Sequence, residues 1–435
     1  MNPVRVALAG LGTVGGGVVR LLETNADLIA RRAGRPIAVH AVSARERTKD
    51  RRFAIDGFDW HDDMAELATR DDIDVVVELI GGSDGPALAL ARRTLAAGKS
   101  FVTANKAMIA IHGLELAELA ERHGGALKFE AAVAGGVPVV KGLREGIAAN
   151  TVERIYGILN GTCNYILSAM EDTGADFDDT LKRAQDLGYA EADPGFDIDG
   201  VDAAHKLAIL AAIGFGSQTD FDAVSVEGIR PVRAADIAHA AGLGFAIRLI
   251  GMADLERRND GSHALLQRVR PCLVPAQHPL ASIDGPINAV VAEGDFSGRL
   301  LFQGAGAGDG PTASAVVADL IDLARGDTTP SFSVPTKDLV RLPAADAGHR
   351  VGRAYLRFTV TDKPGVLAEL TAAMRDGGVS IESMIQQGRA DQGSDVLVVM
   401  VTHDGPEECV TKALDRLKGS NSLTSTPLVM PILKD

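Results

Sequence analysis

Apolar residues follow two alternating spacings over the first third of the chain. Short apolar runs predict strands at 4–9, 37–43, 73–80 and 100–103, and the segments between them have the three- to four-residue spacing of amphipathic helices. Strands that alternate with helices are typical of βαβ units and a parallel sheet. We therefore expect residues 1–140 to form a doubly wound α/β domain.

The pattern changes between residues 141 and 304, where several apolar strands follow one another without a helix between them. Such an order predicts an α+β domain whose sheet carries helices on one face. A strong helical pattern follows at 312–325, and we expect the segment 305–330 to return to the first domain.

The last part of the chain has its own pattern. Residues 331–350 contain Pro335 and Pro343 and show little periodicity, which predicts a linker. Residues 351–435 follow the order βαββαβ, which is the ferredoxin-like arrangement. The predicted strands are 354–360, 379–389, 394–403 and 428–432, and the predicted helices are 365–376 and 407–418.

Composition excludes several classes of protein. The 435 residues carry a net charge of −14, which argues against nucleic acid or an anionic membrane as the main partner. The cysteines Cys163, Cys272 and Cys409 are far apart and form neither a disulfide framework nor a CxxC pattern, so we expect a reducing, cytoplasmic location. The first residues lack a signal-peptide pattern, and no apolar run reaches the roughly 18 residues of a membrane helix.

A glycine motif follows the first predicted strand directly and begins a helix. It reads Gly10-Leu-Gly12-Thr13-Val14-Gly15. In this position the motif indicates a dinucleotide site, since glycines permit a tight turn and the helix N-terminus attracts a pyrophosphate. A tight turn without a ligand is the alternative.

The end of the second strand bears on the choice of cofactor. NAD-binding domains usually carry an acidic residue there, but this chain has Ser43, followed by Arg45 and Arg47. These side chains can meet a 2′-phosphate. The sequence therefore favours NADP(H), with NAD(H) as the alternative, and Arg45 is the proposed contact.

The segment 184–206 concentrates carboxylates ahead of a lysine. Asp202 and Lys206 fall at i and i+4 of a predicted helix, with Asp199 as a plausible N-cap, and an apolar stripe continues beyond the lysine. A solvated salt bridge is the common explanation for such a pair. A lysine at the head of a buried stripe, however, needs a partner, and a carboxylate that keeps it protonated suits a reaction that develops charge on a carbonyl oxygen.

Further segments carry polar or glycine patterns, and each has an ordinary alternative. Lys106 follows the fourth strand at the predicted mouth of the cleft, where a surface lysine is equally plausible. Glu130 precedes a glycine turn whose carbonyls can bind a hard cation or merely reverse the chain. The polar turn 160–164 suits a small ligand or a helix cap. The glycine-rich stretch 304–310, which includes Gly308, approaches the cofactor or serves packing.

Taken together, these motifs resemble one known family. The run Ala184-x3-Gly188-Tyr189-Ala190-Glu191-x-Asp193-Pro194-x2-Asp197-Ile198-x-Gly200-x-Asp202-x3-Lys206 is similar to the homoserine dehydrogenase signature. T-A-N-K-A, E-A-A-V-A-G-G-V-P, N-G-T-C-N-Y-I and G-A-G-A-G-D-G-P-T occur in the family's order, so the resemblance covers about residues 1–330. The tail 355–432, with D-K-P-G-V-L, resembles an ACT domain, and the whole chain resembles the longer, monofunctional bacterial form.

The resemblance implies the interconversion of L-homoserine and L-aspartate 4-semialdehyde with NAD(P)(H), on the route to threonine, methionine and isoleucine. It also implies L-threonine as effector, bound near Gly365–Leu367, and a homodimer or homotetramer. The implied catalytic residues are Lys206 as proton donor, Asp202 and Lys106. The implied substrate residues are Glu191, which binds the amino group, Asp197, Tyr189, Gly161 and Thr162. Thr13, Val14, Arg45 and Lys106 would contact the cofactor, and Glu130 with the carbonyls of Val133, Gly135 and Val137 would bind Na⁺ or K⁺.

Two rival interpretations remain at this stage. One is another amino-acid oxidoreductase of the same two-domain type, such as a diaminopimelate or aspartate dehydrogenase, against which the 184–206 signature argues. The other is a catalytically silent NAD(P)-sensing regulator, against which the presence of Asp202, Lys206 and Lys106 argues.

Overall fold

A computed structural model describes residues 2–51, 53–258, 260–387 and 395–434. Its first part is a parallel sheet in the order β3-β2-β1-β4-β5-β6 with helices on both faces. The elements are β1 (Val4–Ala9), α1 (Thr13–Thr24), α2 (Ala26–Ala33), β2 (Ile37–Ser43), β3 (Asp59–His61), α3 (Ala65–Thr69), β4 (Val75–Glu78), α4 (Pro86–Ala96), β5 (Ser100–Thr103), α5 (Lys106–His123) and β6 (Leu127–Lys128). The predicted doubly wound parallel sheet is confirmed. The predicted strand 73–80 is shorter, and the short strand β3 was not predicted.

The central part is built on a mixed sheet in the order β12-β11-β7-β9-β10-β8. Its elements are α6 (Val139–Lys141), a π-helical turn (Gly142–Gly146), β7 (Val152–Ile158), α7 (Gly161–Thr173), α8 (Phe177–Asp186), α9 (Gly195–Ile198), α10 (Val201–Phe215), β8 (Ser225–Val226), α11 (Ala234–Gly242), β9 (Phe245–Arg257), β10 (His263–Pro275), β11 (Ile287–Gly294), β12 (Gly298–Ala305) and α12 (Asp309–Arg325). The predicted α+β arrangement is confirmed. Val316 and Leu320 of α12 share a core with Val18 and Val19 of α1, so this helix packs on the first sheet's layer.

The last part has the predicted ferredoxin-like order, with an antiparallel sheet β15-β16-β14-β18. Its elements are β13 (Val351–Gly352), β14 (Ala354–Thr361), α13 (Val366–Gly377), β15 (Ile381–Gln387), β16 (Asp395–Thr402), β17 (Gly405–Pro406), α14 (Glu407–Arg416) and β18 (Leu428–Pro431). The predicted strand ends at Arg389 and Ser394 lie outside the described residues. Helices α13 and α14 cover one face of this sheet through a core that includes Phe358, Met374 and Ala413.

The other face of the C-terminal sheet is buried against the central part. Tyr355 and Val401 belong to the same apolar core as the central helices. The Tyr355 hydroxyl donates to Asp236 Oδ1 (2.9 Å), and Arg357 Nη1 donates to Asp236 Oδ2 (3.0 Å). Leu433 packs into a core under the central sheet, and its N–H donates to the Leu273 carbonyl (2.8 Å). The C-terminal unit is therefore covered on both faces within one chain.

The segment 331–350 has little regular structure, with 3₁₀ turns at Thr336–Asp338 and Ala347–His349. It lies along the central part. Isolated β-bridges join Val340 to Ser217 and Ala344 to Leu265. Phe332 is buried, and its ring centroid is 5.3 Å from that of Phe129. Within the described part of the chain, no helix is long and apolar enough to cross a membrane.

Candidate active site

The turn from β1 to α1 depends on its glycines. Gly10 has φ +106°, and a Cβ there would lie 2.6 Å from the Leu79 carbonyl oxygen. A Cβ at Gly15 would lie 2.1 Å from the Gly10 carbonyl oxygen. Gly12 is the N-cap of α1, and Thr13 and Val14 form its first turn. The backbone therefore passes close to the helix start, which leaves the first N–H groups of α1 available to an anion.

A cavity of ≈530 Å³ lies beside this turn. Of the predicted cofactor residues, Gly10, Gly12 and Arg45 line it, and Lys49 and Arg51 add positive charge that the sequence prediction missed. Arg51 donates to the backbone carbonyl of Glu46 (2.5 Å), and its guanidinium lies 5.7 Å from the Trp60 ring centroid. These contacts hold the cationic loop over the cavity, although Glu46 also lines it. Gly308, also predicted as a cofactor contact, lies outside this lining, at the N-cap of α12.

The predicted catalytic residues lie together where α5 meets α10. Lys206 Nζ donates to Asp202 Oδ2 (2.7 Å) and to the Leu159 carbonyl (2.8 Å). Lys106 Nζ lies 3.1 Å from Asp202 Oδ1. Asp202 and Lys206 are buried, at 3% and 7% exposure, so the pair is not the solvated salt bridge of the alternative interpretation.

The start of α10 differs from the prediction in one detail. The N-cap is Gly200, with φ +86°, rather than Asp199. Asp199 instead accepts two hydrogen bonds from Arg230, from Nε (2.5 Å) and Nη2 (2.9 Å). The guanidinium binds this carboxylate at both oxygens, and the left-handed residue that begins the helix is a glycine.

Asn160 connects the acids of the site and was missed as a site residue. Its Nδ2 donates to both Asp197 Oδ1 and Asp202 Oδ2, each at 2.8 Å. Its Oδ1 accepts from Cys163 N (2.7 Å), so the same side chain caps α7. The sequence signal was the polar turn before a helix, for which capping was the ordinary explanation. The side chain performs both tasks.

The carboxyl groups of Asp202 and Asp197 are pushed in opposite directions by their surroundings. Burial opposes ionisation of Asp202, but Lys206, Lys106 and Asn160 outweigh it and hold its pKa well below the usual value. Burial and the neighbouring Asp202 carboxylate raise the pKa of Asp197, against the hydrogen bond from Asn160. Asp202 is thus the fixed anion of the pair.

Most of the predicted substrate residues lie next to Asp197, on one side of the Asp202–Lys206 pair. Thr162 Oγ1 donates to the Tyr189 carbonyl (2.9 Å) and to Asp197 Oδ2 (3.3 Å). Gly161 is the first residue of α7, and the Tyr189 ring packs on Tyr165 at 4.5 Å. Glu191 follows with an exposed side chain, outside the hydrogen-bonded cluster of the described residues. The structure therefore groups Asp197, Thr162, Gly161 and Tyr189, and leaves the Glu191 carboxylate free to turn.

The predicted cation residues lie in the chain reversal after β6. Glu130 is buried, and its two oxygens accept from Val140 N (3.1 Å) and Lys141 N (2.9 Å). Burial and the nearby Asp319 carboxylate raise the pKa of Glu130 to about 7. Gly135, with φ +52°, belongs to the turn between Val133 and Val137. A carboxylate and a set of carbonyls form an all-oxygen donor set, which suits a hard cation.

A second group of carboxylates converges nearby, from Glu145, Asp322 and Asp327. Each already has a cationic partner. Glu145 accepts from Arg144 (2.8 Å), Asp327 accepts from Lys128 (2.7 Å), and Asp322 pairs with Lys141. This group is therefore an ion-pair network rather than a metal site.

Comparisons with known proteins agree over the whole chain. The family model described as homoserine dehydrogenase matches residues 138–321, the model of the homoserine dehydrogenase NAD-binding domain matches residues 10–130, and the ACT domain model matches residues 354–419. Homoserine dehydrogenases from Pseudomonas aeruginosa (44% identity, 99% of this chain and 98% of the relative) and Mycobacterium tuberculosis (43%, 96% and 94%) are similar.

Solved structures give the same result. The crystal structure of a homoserine dehydrogenase from Thiobacillus denitrificans superposes with a TM-score of 0.92 at 41% identity, covering 100% of this chain and 99% of that one. A hyperthermophilic archaeal homoserine dehydrogenase in complex with NADPH has a TM-score of 0.64 at 26% identity, covering 76% of this chain and 100% of that one. The rival enzyme and regulator interpretations have no such support in these matches.

Proposed function

The chain belongs to the homoserine dehydrogenase family, and from this premise we propose that its cleft interconverts L-aspartate 4-semialdehyde and L-homoserine with Lys206 as the proton donor. The observation that carries the role of Lys206 is its donor geometry. An ammonium has three N–H groups, and among the described residues Lys206 directs two of them to Asp202 and Leu159. The third remains for the substrate oxygen.

The site divides the reaction into charge stabilisation and proton transfer. A bound nicotinamide supplies hydride to the aldehyde carbon, or removes it in reverse. Asp202 holds the buried Lys206 ammonium through a 2.7 Å hydrogen bond, so that this positive charge can meet the oxygen on which negative charge develops. Lys106, whose side chain is 33% exposed, contacts the other oxygen of Asp202 and places a second positive charge at the open side.

The substrate's amino group needs acids and its carboxylate needs donors. Glu191 is free to turn toward an ammonium, and Asp197 offers a second carboxylate beside Thr162. The N-terminus of α7 at Gly161 offers backbone N–H groups to the carboxylate. This assignment would place the amino acid across the gap between α7 and the 189–197 segment.

The experiment follows absorbance of the reduced cofactor with purified protein, L-homoserine and each of NAD⁺ and NADP⁺. Lys206→Ala is expected to lower kcat by at least about 1,000-fold while NADPH still binds, because it removes the proton donor. Binding is measured separately by fluorescence titration. Near-normal turnover of Lys206→Ala would exclude this residue from the mechanism.

We propose NADP(H) as the preferred cofactor. Support comes from the cationic loop Arg45–Arg51 over the cavity and from the absence of an acid at the end of β2, where Ser43 stands. The similar archaeal homoserine dehydrogenase was solved in complex with NADPH. NAD(H) remains the alternative. The ratio of the turnover rate with NADP⁺ to that with NAD⁺ decides between the two cofactors.

A monovalent cation, Na⁺ or K⁺, is the proposed occupant of the turn at Glu130, held by that carboxylate and the carbonyls of Val133, Gly135 and Val137. A positive charge there would favour the ionised form of a buried carboxylate. We expect thermal stability to rise with added NaCl or KCl relative to choline chloride, and Glu130→Gln to reduce this difference. An equal response to all three salts would contradict the site.

We propose that an amino acid regulates the enzyme through the ACT domain, with L-threonine as the first candidate. Gly365, in the left-handed conformation, is the N-cap of α13, and the loop before it is exposed. Activity is measured with and without millimolar threonine in the full chain and in Gly365→Val. Absence of inhibition by threonine in the full chain would contradict the proposal.

A homodimer or homotetramer is also proposed, through the central sheet. Its edge strand β12 and the preceding turn expose Leu301 (41%) and Phe296 (92%). Light scattering gives the mass, and a monomeric mass at micromolar concentration would refute the proposal.

A further inference from the structure

Glu78 is a buried carboxylate that no step described above uses. It is the last residue of β4, after three buried valines, and its exposure is 0%. A buried carboxylate without partners is costly, so its contacts indicate what it holds in place.

The two oxygens of Glu78 bind two different loops. Oε1 accepts from the backbone N–H groups of Ile80 (2.6 Å) and Gly81 (2.8 Å). Oε2 accepts from the Thr103 hydroxyl (2.6 Å) at the end of the neighbouring strand. Ile80 and Gly81 line the cofactor cavity, so one carboxyl group connects this lining to β5.

The second loop leads directly to Lys106. Thr103 Oγ1 accepts from Asn105 N (2.9 Å), and Asn105 Oδ1 caps α5 by accepting from Met108 N (3.1 Å). Asn105 Nδ2 also donates to the Gly82 carbonyl (2.7 Å), which joins the two loops a second time. Lys106 is the next residue, the first of α5, and its ammonium contacts Asp202.

We propose that Glu78 is a positioning residue, which fixes the cofactor-cavity loop at 80–82 and the Lys106 end of α5 relative to one another. It touches neither substrate nor the reacting atoms and acts through Thr103 and Asn105. Because both loops depend on one carboxyl group, removal of the whole group affects the cofactor lining and Lys106 together, whereas a change at one oxygen affects one loop. The inference rests on the proposed role of Lys106 in the reaction.

Two substitutions separate the contacts. In Glu78→Gln the amide oxygen can still accept from Ile80 and Gly81, but the Thr103 hydroxyl loses its acceptor. We expect kcat to fall roughly tenfold with little change in the affinity for NADPH. Glu78→Ala removes all three bonds, and we expect kcat to fall about 100-fold and KM for NADPH to rise. Glu115→Gln, on α5 and in an exposed pair with Arg92 of α4, is the matched control and should leave kcat and KM for NADPH unchanged.

The decisive measurement is a double-mutant cycle with Lys106→Ala on protein that circular dichroism shows to be folded. If Glu78 acts through Lys106, Glu78→Gln lowers kcat much less in the Lys106→Ala background than in the wild type. Full additivity of the two effects on kcat, or no effect of Glu78→Gln on kcat, would overturn the inference. The Lys106→Ala single variant tests the role of Lys106 separately. If its kcat is unchanged, the proposed role of Lys106 is wrong, and the inference about Glu78, which rests on that role, is wrong as well.

Discussion

Replacement of Asp202 by asparagine tests the central ion pair most directly. The substitution keeps the shape of the side chain but removes the charge between Lys206 Nζ, 2.7 Å from Oδ2, and Lys106 Nζ, 3.1 Å from Oδ1. Asp202 and Lys206 are both buried, so water does not replace the lost partner. Breaking a buried pair from one side typically costs about 3–5 kcal/mol. We expect the free energy of unfolding to fall by about that amount.

The same change weakens catalysis, because the Lys206 ammonium loses the carboxylate that holds it in position. A loss of about 3 kcal/mol in transition-state stabilisation corresponds to roughly a 100-fold lower kcat. The free energy of unfolding is measured by urea unfolding, and kcat is measured by the absorbance assay at saturating substrate.

Asp199→Asn is the matched control for this experiment. Asp199 lies three positions away and pairs with Arg230, but its side chain is 45% exposed, so the pair is worth at most about 1 kcal/mol. We expect near-wild-type kcat for Asp199→Asn. If Asp202→Asn retains more than half of wild-type kcat, or if both variants lose activity equally, the buried pair is not the element that keeps Lys206 competent.

Three other outcomes follow from the site. Arg45→Asp should lower kcat/KM with NADPH roughly 10- to 100-fold, since it removes a charge-assisted hydrogen bond, and with NADH much less; equal losses would contradict the 2′-phosphate contact. Asn160→Ala should lower the free energy of unfolding by about 1 kcal/mol through the lost helix cap, measured by urea unfolding. It should also reduce kcat about tenfold; an unchanged kcat would show that Asn160 serves only as a helix cap. Because the pKa of Asp202 is lowered from 3.8, its stabilising effect is complete above that value and lost as pH falls below it. The stability difference between wild type and Asp202→Asn should therefore stay constant above about pH 5 and narrow in more acidic urea titrations; narrowing near neutral pH would contradict the lowered pKa.

The sequence predicted those parts of the site that depend on spacing along one element. Asp202 and Lys206 lie one helical turn apart on α10, so their pairing followed from the i,i+4 relation alone. The glycines at 10 and 15 are required by backbone contacts that no other residue permits, whereas a Cβ at Gly12 would meet nothing within 4 Å. The three sheet arrangements followed in the same way from the period of apolar residues.

Contacts between distant segments were not readable from one sequence. Asn160 reaches Asp197 and Asp202 only because the N-terminus of α7 lies beside α9 and the first turn of α10, and Glu78 meets Thr103 only because β4 and β5 are neighbours. The N-cap prediction at Asp199 was wrong for a similar reason, because an arginine 31 residues further along the chain binds that carboxylate. Local rules do not include such partners.

The way in which the chain's last residues enter the central sheet limits how the enzyme can be engineered. Leu433 fills a core beneath that sheet, and Tyr355 and Arg357 satisfy the buried carboxylate of Asp236. A version cut before residue 351 would uncover apolar surface and leave the buried Asp236 carboxylate with the Arg233 N–H but without Tyr355 and Arg357, so insoluble product would be expected whether or not regulation resides in the tail. Whether the tail regulates the enzyme is therefore better tested by point substitutions in the loop before α13 than by truncation.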